Sequence, residues 1–156
     1  MNRRPSSRTS KGTYEEAKVE IIKVLNRCKA LDGEDVEEAF ECICGHYDVD
    51  GYALAKRLDE ECSWSPVTED VDELDDIGQI LYEALQSRQK NWVKENNIIV
   101  PFKIGDVVSF EHGAPMTGTI IRIIEDTAKI VVEVKGKQGN PIVNFEDAKL
   151  EVSGKE

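Results

Sequence analysis

The sequence lacks any apolar run long enough to cross a membrane, since no stretch approaches the roughly 18 consecutive apolar residues that a spanning helix needs. Residues 1–12 are basic, as at the start of a signal peptide, but no apolar segment follows them. We therefore expect a protein that is neither exported by this route nor inserted in a membrane, and a cytoplasmic location is the simplest prediction.

Motifs for catalysis and for cofactor binding are also missing. The chain has only two histidines, His46 and His112, which are far apart in sequence, and no serine or cysteine has a recognisable nucleophile setting. It also contains no glycine-rich loop of the kind that cradles phosphates. The sequence predicts a protein that is not an enzyme, with no catalytic residues and no cofactor.

Cysteines are few, and all four (Cys28, Cys42, Cys44 and Cys62) lie in the first 62 residues. Without an export signal, free buried thiols in a reducing compartment are favoured over disulfides. A zinc site built from Cys42, Cys44 and His46, completed by Cys62 or Cys28, is the alternative, because thiolates and imidazole are zinc ligands. The spacing disfavours it, since residues two apart on a helix point to different sides. The predicted metal content is none.

Acidic residues are concentrated in one part of the chain. Residues 13–97 hold 22 acidic and 9 basic residues, whereas residues 98–156 hold 9 and 7, and residues 1–12 hold four basic residues and no acidic one. A strongly negative surface repels nucleic acid at long range and suits a basic protein partner. The charge therefore separates a basic arm, an acidic part and a nearly balanced part.

Apolar residues in the acidic part recur at steps of three and four, which indicates amphipathic helices. We predict helices over about 13–31, 36–45, 52–62 and 70–92. The first begins with a capping box, Thr13 to Glu16, and the third follows Asp48 and Asp50, which suit helix capping better than calcium binding. Residues 1–12 lack apolar periodicity and are predicted to be a disordered arm.

From residue 98 onward, short β-branched runs alternate with glycine and proline, which is typical of strands. We predict strands near 106–110, 118–124, 128–134, 141–145 and 150–152. The segments 105–108, 118–120, 130–132 and 145–150 make residues 101–152 resemble an SH3-like small barrel of the group that includes KOW and Tudor modules. The predicted fold class is α+β, with an acidic four-helix domain at 13–97 and a five-stranded SH3-like antiparallel β-barrel at 98–156.

The resemblance implies a binding module, but the residues narrow the choice of ligand. The predicted barrel has three phenylalanines and no Trp or Tyr, which disfavours an aromatic cage for methylated or proline-rich peptides. A nucleic-acid-associated protein is the alternative function, with phosphates contacted by the basic arm and the barrel loops. That alternative uses Arg3, Arg4, Arg8, Arg122, Lys135 and Lys137.

The densest acidic run lies at 69–76, with six carboxylates in eight residues: Glu69, Asp70, Asp72, Glu73, Asp75 and Asp76. This spacing can imitate a phosphate backbone or dock a basic protein patch. We therefore predict a non-enzymatic interaction protein that binds a basic protein surface through this run. It would act as an adaptor, or as an inhibitor of the type that phages and mobile elements encode. The oligomeric state is left open.

Overall fold

The computed structural model describes residues 3–31 and 35–154. These residues divide into two compact units, a helical unit ending at Arg88 and a sheet unit beginning at Gln89. The sequence had suggested a boundary at 97/98, whereas this division falls inside the last helix. Two residues of the predicted basic arm, and the last two of the predicted barrel, lie outside the described residues.

Helices occupy the predicted parts of the acidic region, but two of the four predicted helices are each divided in two. The divisions fall at Ala17 and Asp75, which separate helical segments on either side. The segments are α1 Lys11–Glu16, α2 Lys18–Arg27, α3 Val36–Ile43, α4 Gly51–Cys62, α5 Thr68–Leu74 and α6 Asp76–Glu95. Among the described residues, no helix is both long and apolar enough to span a membrane.

The first helix begins two residues before the predicted start. Ser10 is its N-cap, and the Ser10 hydroxyl accepts a hydrogen bond from the backbone N–H of Thr13 at 3.2 Å. Thr13 is fully buried, and its hydroxyl donates to the carbonyl oxygen of Ser7 at 2.7 Å. The predicted capping box at Thr13 is therefore wrong, because a serine three residues earlier supplies the capping oxygen.

One apolar core fills the helical unit, and the predicted apolar stripes supply most of it. Tyr14 is fully buried at its edge, where the phenolic O–H donates to the carbonyl oxygen of His46 at 2.9 Å. The largest fully buried aliphatic and aromatic side chains around it are Ile21, Leu25, Phe40, Ile43, Leu54, Leu58, Leu74, Ile77 and Leu81. Burial of this surface is the main stabilising term for the helices.

Helices α4 and α5 approach closely at Gly51, the first residue of α4. The Gly51 N–H donates to Asp75 at 2.5 Å, and a Cβ at Gly51 would overlap the carbonyl oxygen of Val71. We expect Gly51→Ala to lower the free energy of unfolding by about 2–3 kcal/mol, because backbone must move to admit the methyl group. Urea unfolding followed by circular dichroism measures this difference.

Gly78 of α6 is the matched control for that substitution. An added Cβ there would meet Val49 at 3.5 Å, which is ordinary van der Waals contact. Since alanine favours helix over glycine by about 1 kcal/mol, Gly78→Ala should leave stability unchanged or raise it. Equal losses at the two glycines would contradict the close approach at Gly51.

The sheet unit contains one antiparallel sheet of five strands. The strands are β1 Val107–Glu111, β2 Pro115–Ile124, β3 Lys129–Glu133, β4 Ile142–Asn144 and β5 Lys149–Val152. Their order across the sheet is β4-β3-β2-β1-β5, so β4 and β5 form the two edges. The five strands are confirmed, but the sheet is not closed, and the predicted barrel is therefore not confirmed.

Alternation along the strands places the apolar side chains on one face of the sheet. In β1 and β3, Val108, Phe110, Ile130 and Val132 are buried, while their neighbours along each strand are more exposed. The register shifts between Ile120 and Arg122 of β2, which lets β2 turn and still present its apolar residues to the core. This core also takes in partly buried Phe102 and Met116.

Asp106 connects the start of β1 to the segment that follows β5. Its buried carboxylate accepts hydrogen bonds from the backbone N–H of Gly154 at 2.6 Å and of Lys103 at 2.9 Å. These bonds hold the pKa of Asp106 below its usual range, since they favour the charged form. The carboxylate therefore stabilises the folded sheet unit at neutral pH.

The pKa of Asp106 is lower in the folded protein than in the unfolded chain. Its carboxylate therefore stabilises the fold fully at pH values above the pKa of the unfolded chain, and this stabilisation is lost as the pH falls through the pKa of the folded protein. We expect Asp106→Asn to destabilise the protein at pH 6 and to do so less at pH 3. Urea unfolding of both proteins at the two pH values gives this difference. A loss of equal size at both values would show that the ionised carboxylate is not what holds Gly154.

Candidate functional site

Most side chains of the acidic run at 69–76 bond to other segments of the helical unit. Asp70 is 1% exposed, and its two carboxylate oxygens accept hydrogen bonds from three backbone N–H groups. The donors are Lys29 at 2.6 Å, Ala30 at 3.1 Å and Val67 at 3.1 Å. Asp70 thus caps α5 and the 3-10 turn at Lys29–Leu31 together, which is a structural task.

Other members of the run also bond to neighbouring segments of the same unit. Glu73 and Asp76 pair with the guanidinium of Arg27 of α2 at 2.7 and 3.3 Å. Glu69 pairs with Lys29 at 3.7 Å, and Asp75 accepts the N–H of Gly51. Asp72 is exposed on α5. The run therefore joins helices, although its charged groups other than Asp70 and Glu73 stay well exposed.

The cysteines contain the clearest departure from expectation. Cys42 of α3 and Cys62 at the end of α4 form a disulfide, with their Cα atoms 6.5 Å apart. The prediction of four free thiols is wrong for these two, while Cys28 and Cys44 are free. The fold brings the two positions within bridging distance, which the 20-residue separation alone could not show.

The alternative zinc site loses Cys42 and Cys62 to that disulfide, because a bridged sulfur has no thiolate to donate. Helix α3 also continues to Ile43, with Cys44 as its C-cap. Within residues 3–31 and 35–154, no group of three His, Cys, Asp or Glu side chains is placed to hold a metal ion.

The free thiols are buried or half-buried, and both histidines lie in connections between elements. Burial raises the pKa of Cys28 to about 12 and also raises the pKa of Cys44, which keeps both as neutral thiols at neutral pH. His46 lies in the α3–α4 connection, and exposed His112 lies in the β1–β2 turn. Neither thiol is therefore activated as a nucleophile.

The basic residues of the nucleic-acid alternative are divided between the two units. Arg122 is exposed on β2 opposite Val131 of β3. Exposed Lys135 and Lys137 lie in the connection that follows β3. Arg3 and Arg8 are exposed in the helical unit, Arg4 is half-buried there, and the remaining three belong to the sheet unit.

Two exposed tyrosines mark a groove that the sequence did not predict. Tyr47 is 81% exposed in the α3–α4 connection, and Tyr52 is 72% exposed in the first turn of α4. The groove between them encloses about 330 Å³. We call it the tyrosine groove; its lining includes His46, Tyr47, Asp48, Asp50, Tyr52 and Glu60.

The geometry of α4 explains why Tyr52 is exposed. The buried residues of α4 are Gly51, Leu54, Ala55 and Leu58, and Tyr52 lies about a quarter turn away from that stripe. Asp50 is the N-cap, as predicted, and accepts the N–H of Ala53 at 2.8 Å. The position of Tyr52 outside the buried stripe therefore leaves it exposed to solvent.

A second groove, of about 360 Å³, adjoins the first and shares Tyr52 and Lys56 with it. Its other lining residues include Asp59, Pro66 and Val71. The sheet unit has its own grooves, of which one of about 280 Å³ is lined by Ile98, Phe102 and Ile123.

Comparison of the chain with protein-family models, with curated proteins and with solved structures finds no match in any of the three.

Proposed function

We propose that the protein is a non-enzymatic interaction module whose acidic helical unit binds a basic protein surface. The observation that carries the proposal is the charge of residues 13–97, with 22 acidic and 9 basic residues. Of the acidic residues described in that range, only Asp70 is fully buried, so the negative charge is displayed at the surface. Such a surface accelerates and orients encounters with positively charged partners.

The protein would act on this partner in one of two ways. It would be an adaptor, or it would be an inhibitor that occupies the partner's nucleic-acid site, of the type that phages and mobile elements encode. Acidic side chains at the spacing of the 69–76 run support the second form, because they can replace phosphates in a basic groove. The sheet unit, with its proposed SH3-like character, serves as a second docking or rigidifying module.

A cytoplasmic location stays a prediction, and the disulfide counts against it. Disulfides persist in oxidising compartments and are rare in the cytoplasm, where thiols are kept reduced. Alkylation of the protein in its native cells before lysis, followed by mass spectrometry, determines the state of Cys42 and Cys62. A bridged pair in those cells would overturn the cytoplasmic prediction.

Affinity capture with the tagged protein, with and without nuclease, tests the proposed function. We expect a nuclease-resistant partner whose binding weakens when Asp59 and Asp72 are both replaced by lysine. These two exposed carboxylates are suitable because neither ties helices together, unlike Asp70 and Asp75. The matched control is Glu133→Lys, which reverses the charge of an exposed residue in the sheet unit.

The same experiment separates the nucleic-acid alternative from the proposal. A partner set that disappears with nuclease, and an affinity that falls steeply with salt, would favour phosphate contacts by the basic residues. Another outcome would overturn the acidic surface as the docking site. In it, binding is unaffected by charge reversal at Asp59 and Asp72 but is lost on replacement of Lys135 and Lys137.

A further inference from the structure

The exposure of Tyr47 and Tyr52 is unusual for large aromatic side chains. Both rings are mostly in water, although burial of an aromatic ring is among the larger stabilising contributions in proteins and interfaces. The ring of His46 lies 5.0 Å from that of Tyr47 at an angle of 49°, so three rings line one groove. Tyrosine is enriched at binding surfaces because it offers a rigid apolar face and a polar tip.

The charges around the tyrosine groove identify the class of ligand. Its two cations are matched by acids on the same helix, with Lys56 4.0 Å from Glu60 and Arg57 3.5 Å from Glu61. Within the part of the chain that the structure describes, the carboxylates of Asp48 and Asp50 accept backbone N–H groups and form no ion pair, so their negative charge is uncompensated. Asp59 adds a further carboxylate in the adjoining groove.

Aromatic faces beside uncompensated carboxylates form a site for a cation with an apolar stem. A lysine or arginine side chain meets both requirements, because its charged end is attracted to ring faces and its methylene groups cover the rings. Nucleic acid does not fit, since its phosphates would approach these carboxylates. The two adjoining grooves, of about 330 and 360 Å³, offer room for more than one side chain on either side of Tyr52.

We propose that the tyrosine groove binds a lysine- or arginine-bearing segment of a partner protein, with a cationic side chain against Tyr47 and Tyr52. This inference rests on the proposed function and adds its location and its chemistry. The segment crosses the surface at Tyr52, and successive side chains on one side of an extended segment, about 7 Å apart, enter the two grooves. The 69–76 run then contributes long-range attraction, while the groove makes the contacts.

A defined peptide tests the proposal on the full-length, disulfide-bonded protein. The probe is a nine-residue peptide of alternating glycine with lysine or arginine, and the controls replace its cations with glutamine or glutamate. Amide chemical shifts in ¹⁵N-labelled protein locate the binding, and fluorescence anisotropy gives the dissociation constant. We expect shifts around Tyr47 and Tyr52 with the cationic peptide and none with either control.

Variants identify the contribution of the rings. We expect Tyr47→Ala with Tyr52→Ala to weaken binding about tenfold, as for the loss of two cation–π contacts. Tyr82→Ala is the matched control, because Tyr82 is 48% exposed on α6 and does not line the groove. It should bind like the original protein. Both variants change exposed side chains, so both should fold.

The outcomes separate the groove from the function. Cationic-peptide binding that shifts residues near Asp72 and is unchanged by the double tyrosine variant would overturn the groove and leave the proposed function standing. Equal binding of the glutamine peptide would overturn the cation as the recognised group. If the cationic peptide binds nowhere on the helical unit, the proposed function itself fails.

Discussion

Replacing Asp70 with alanine is expected to lower the free energy of unfolding by about 3 kcal/mol or more, the largest loss among the acidic residues. Its carboxylate accepts three backbone N–H groups and is 1% exposed. Leaving one buried donor without an acceptor lowers the free energy of unfolding by about 1–3 kcal/mol, and alanine leaves three donors without theirs. Urea unfolding followed by circular dichroism measures the change.

Two further variants keep this prediction testable. Asp70→Asn retains one acceptor oxygen and should give an intermediate loss, which is measurable even if Asp70→Ala does not fold. Asp72→Ala removes an exposed carboxylate two residues away and should change stability by less than about 0.5 kcal/mol. Similar values for Asp70→Ala and Asp72→Ala would show that the acidic run is a uniform surface after all.

The difference between Asp70 and Asp72 shows where the sequence was informative and where it was not. Acid near a helix start is expected from dipole and capping arguments, and Asp70 does cap α5. The bonds from Lys29 and Ala30 depend on a chain reversal some 40 residues earlier, and local patterns carry no information on it. A carboxylate predicted for a partner is thus bonded to its own chain.

Periodicity located the elements well because it reflects a local geometric requirement. The stripe through Ile21, Val24 and Leu25 is buried as predicted, and the alternation in β3 buries Ile130 and Val132. Sheet closure failed as a prediction because it depends on how the edge strands β4 and β5 meet, and no residue pattern specifies that. The tyrosine groove was also beyond local patterns, because the α3–α4 connection and α4 form it together, and their relative placement depends on the whole fold.

Reducing the disulfide is the second change expected to have a large effect. Cys42 and Cys62 close a loop with a sequence separation of 20, for which the chain-entropy model gives about 3 kcal/mol of stabilisation. The protein in a reducing agent, and the variant with Cys42→Ser and Cys62→Ser, should therefore unfold at clearly lower urea concentration than the oxidised protein. The double variant should no longer respond to the reducing agent.

Cys44→Ser is the matched control, because Cys44 is a free, half-buried thiol two residues from Cys42. It should keep the response to reducing agent that the double variant loses. An oxidised sample that contains four alkylatable thiols, or that unfolds identically after reduction, would contradict the bridge.

The bridge also bears on the tyrosine groove. Arg57, which lines the groove, donates from Nε to the carbonyl oxygen of Cys42 at 3.1 Å, so one edge of the groove is tied to the bridged residue of α3. Reduction should therefore loosen this edge and weaken binding of the cationic peptide more than Cys44→Ser does. Peptide affinity is measured before and after reduction, without urea and at a temperature at which both forms stay folded. This separates the local effect on the groove from global unfolding.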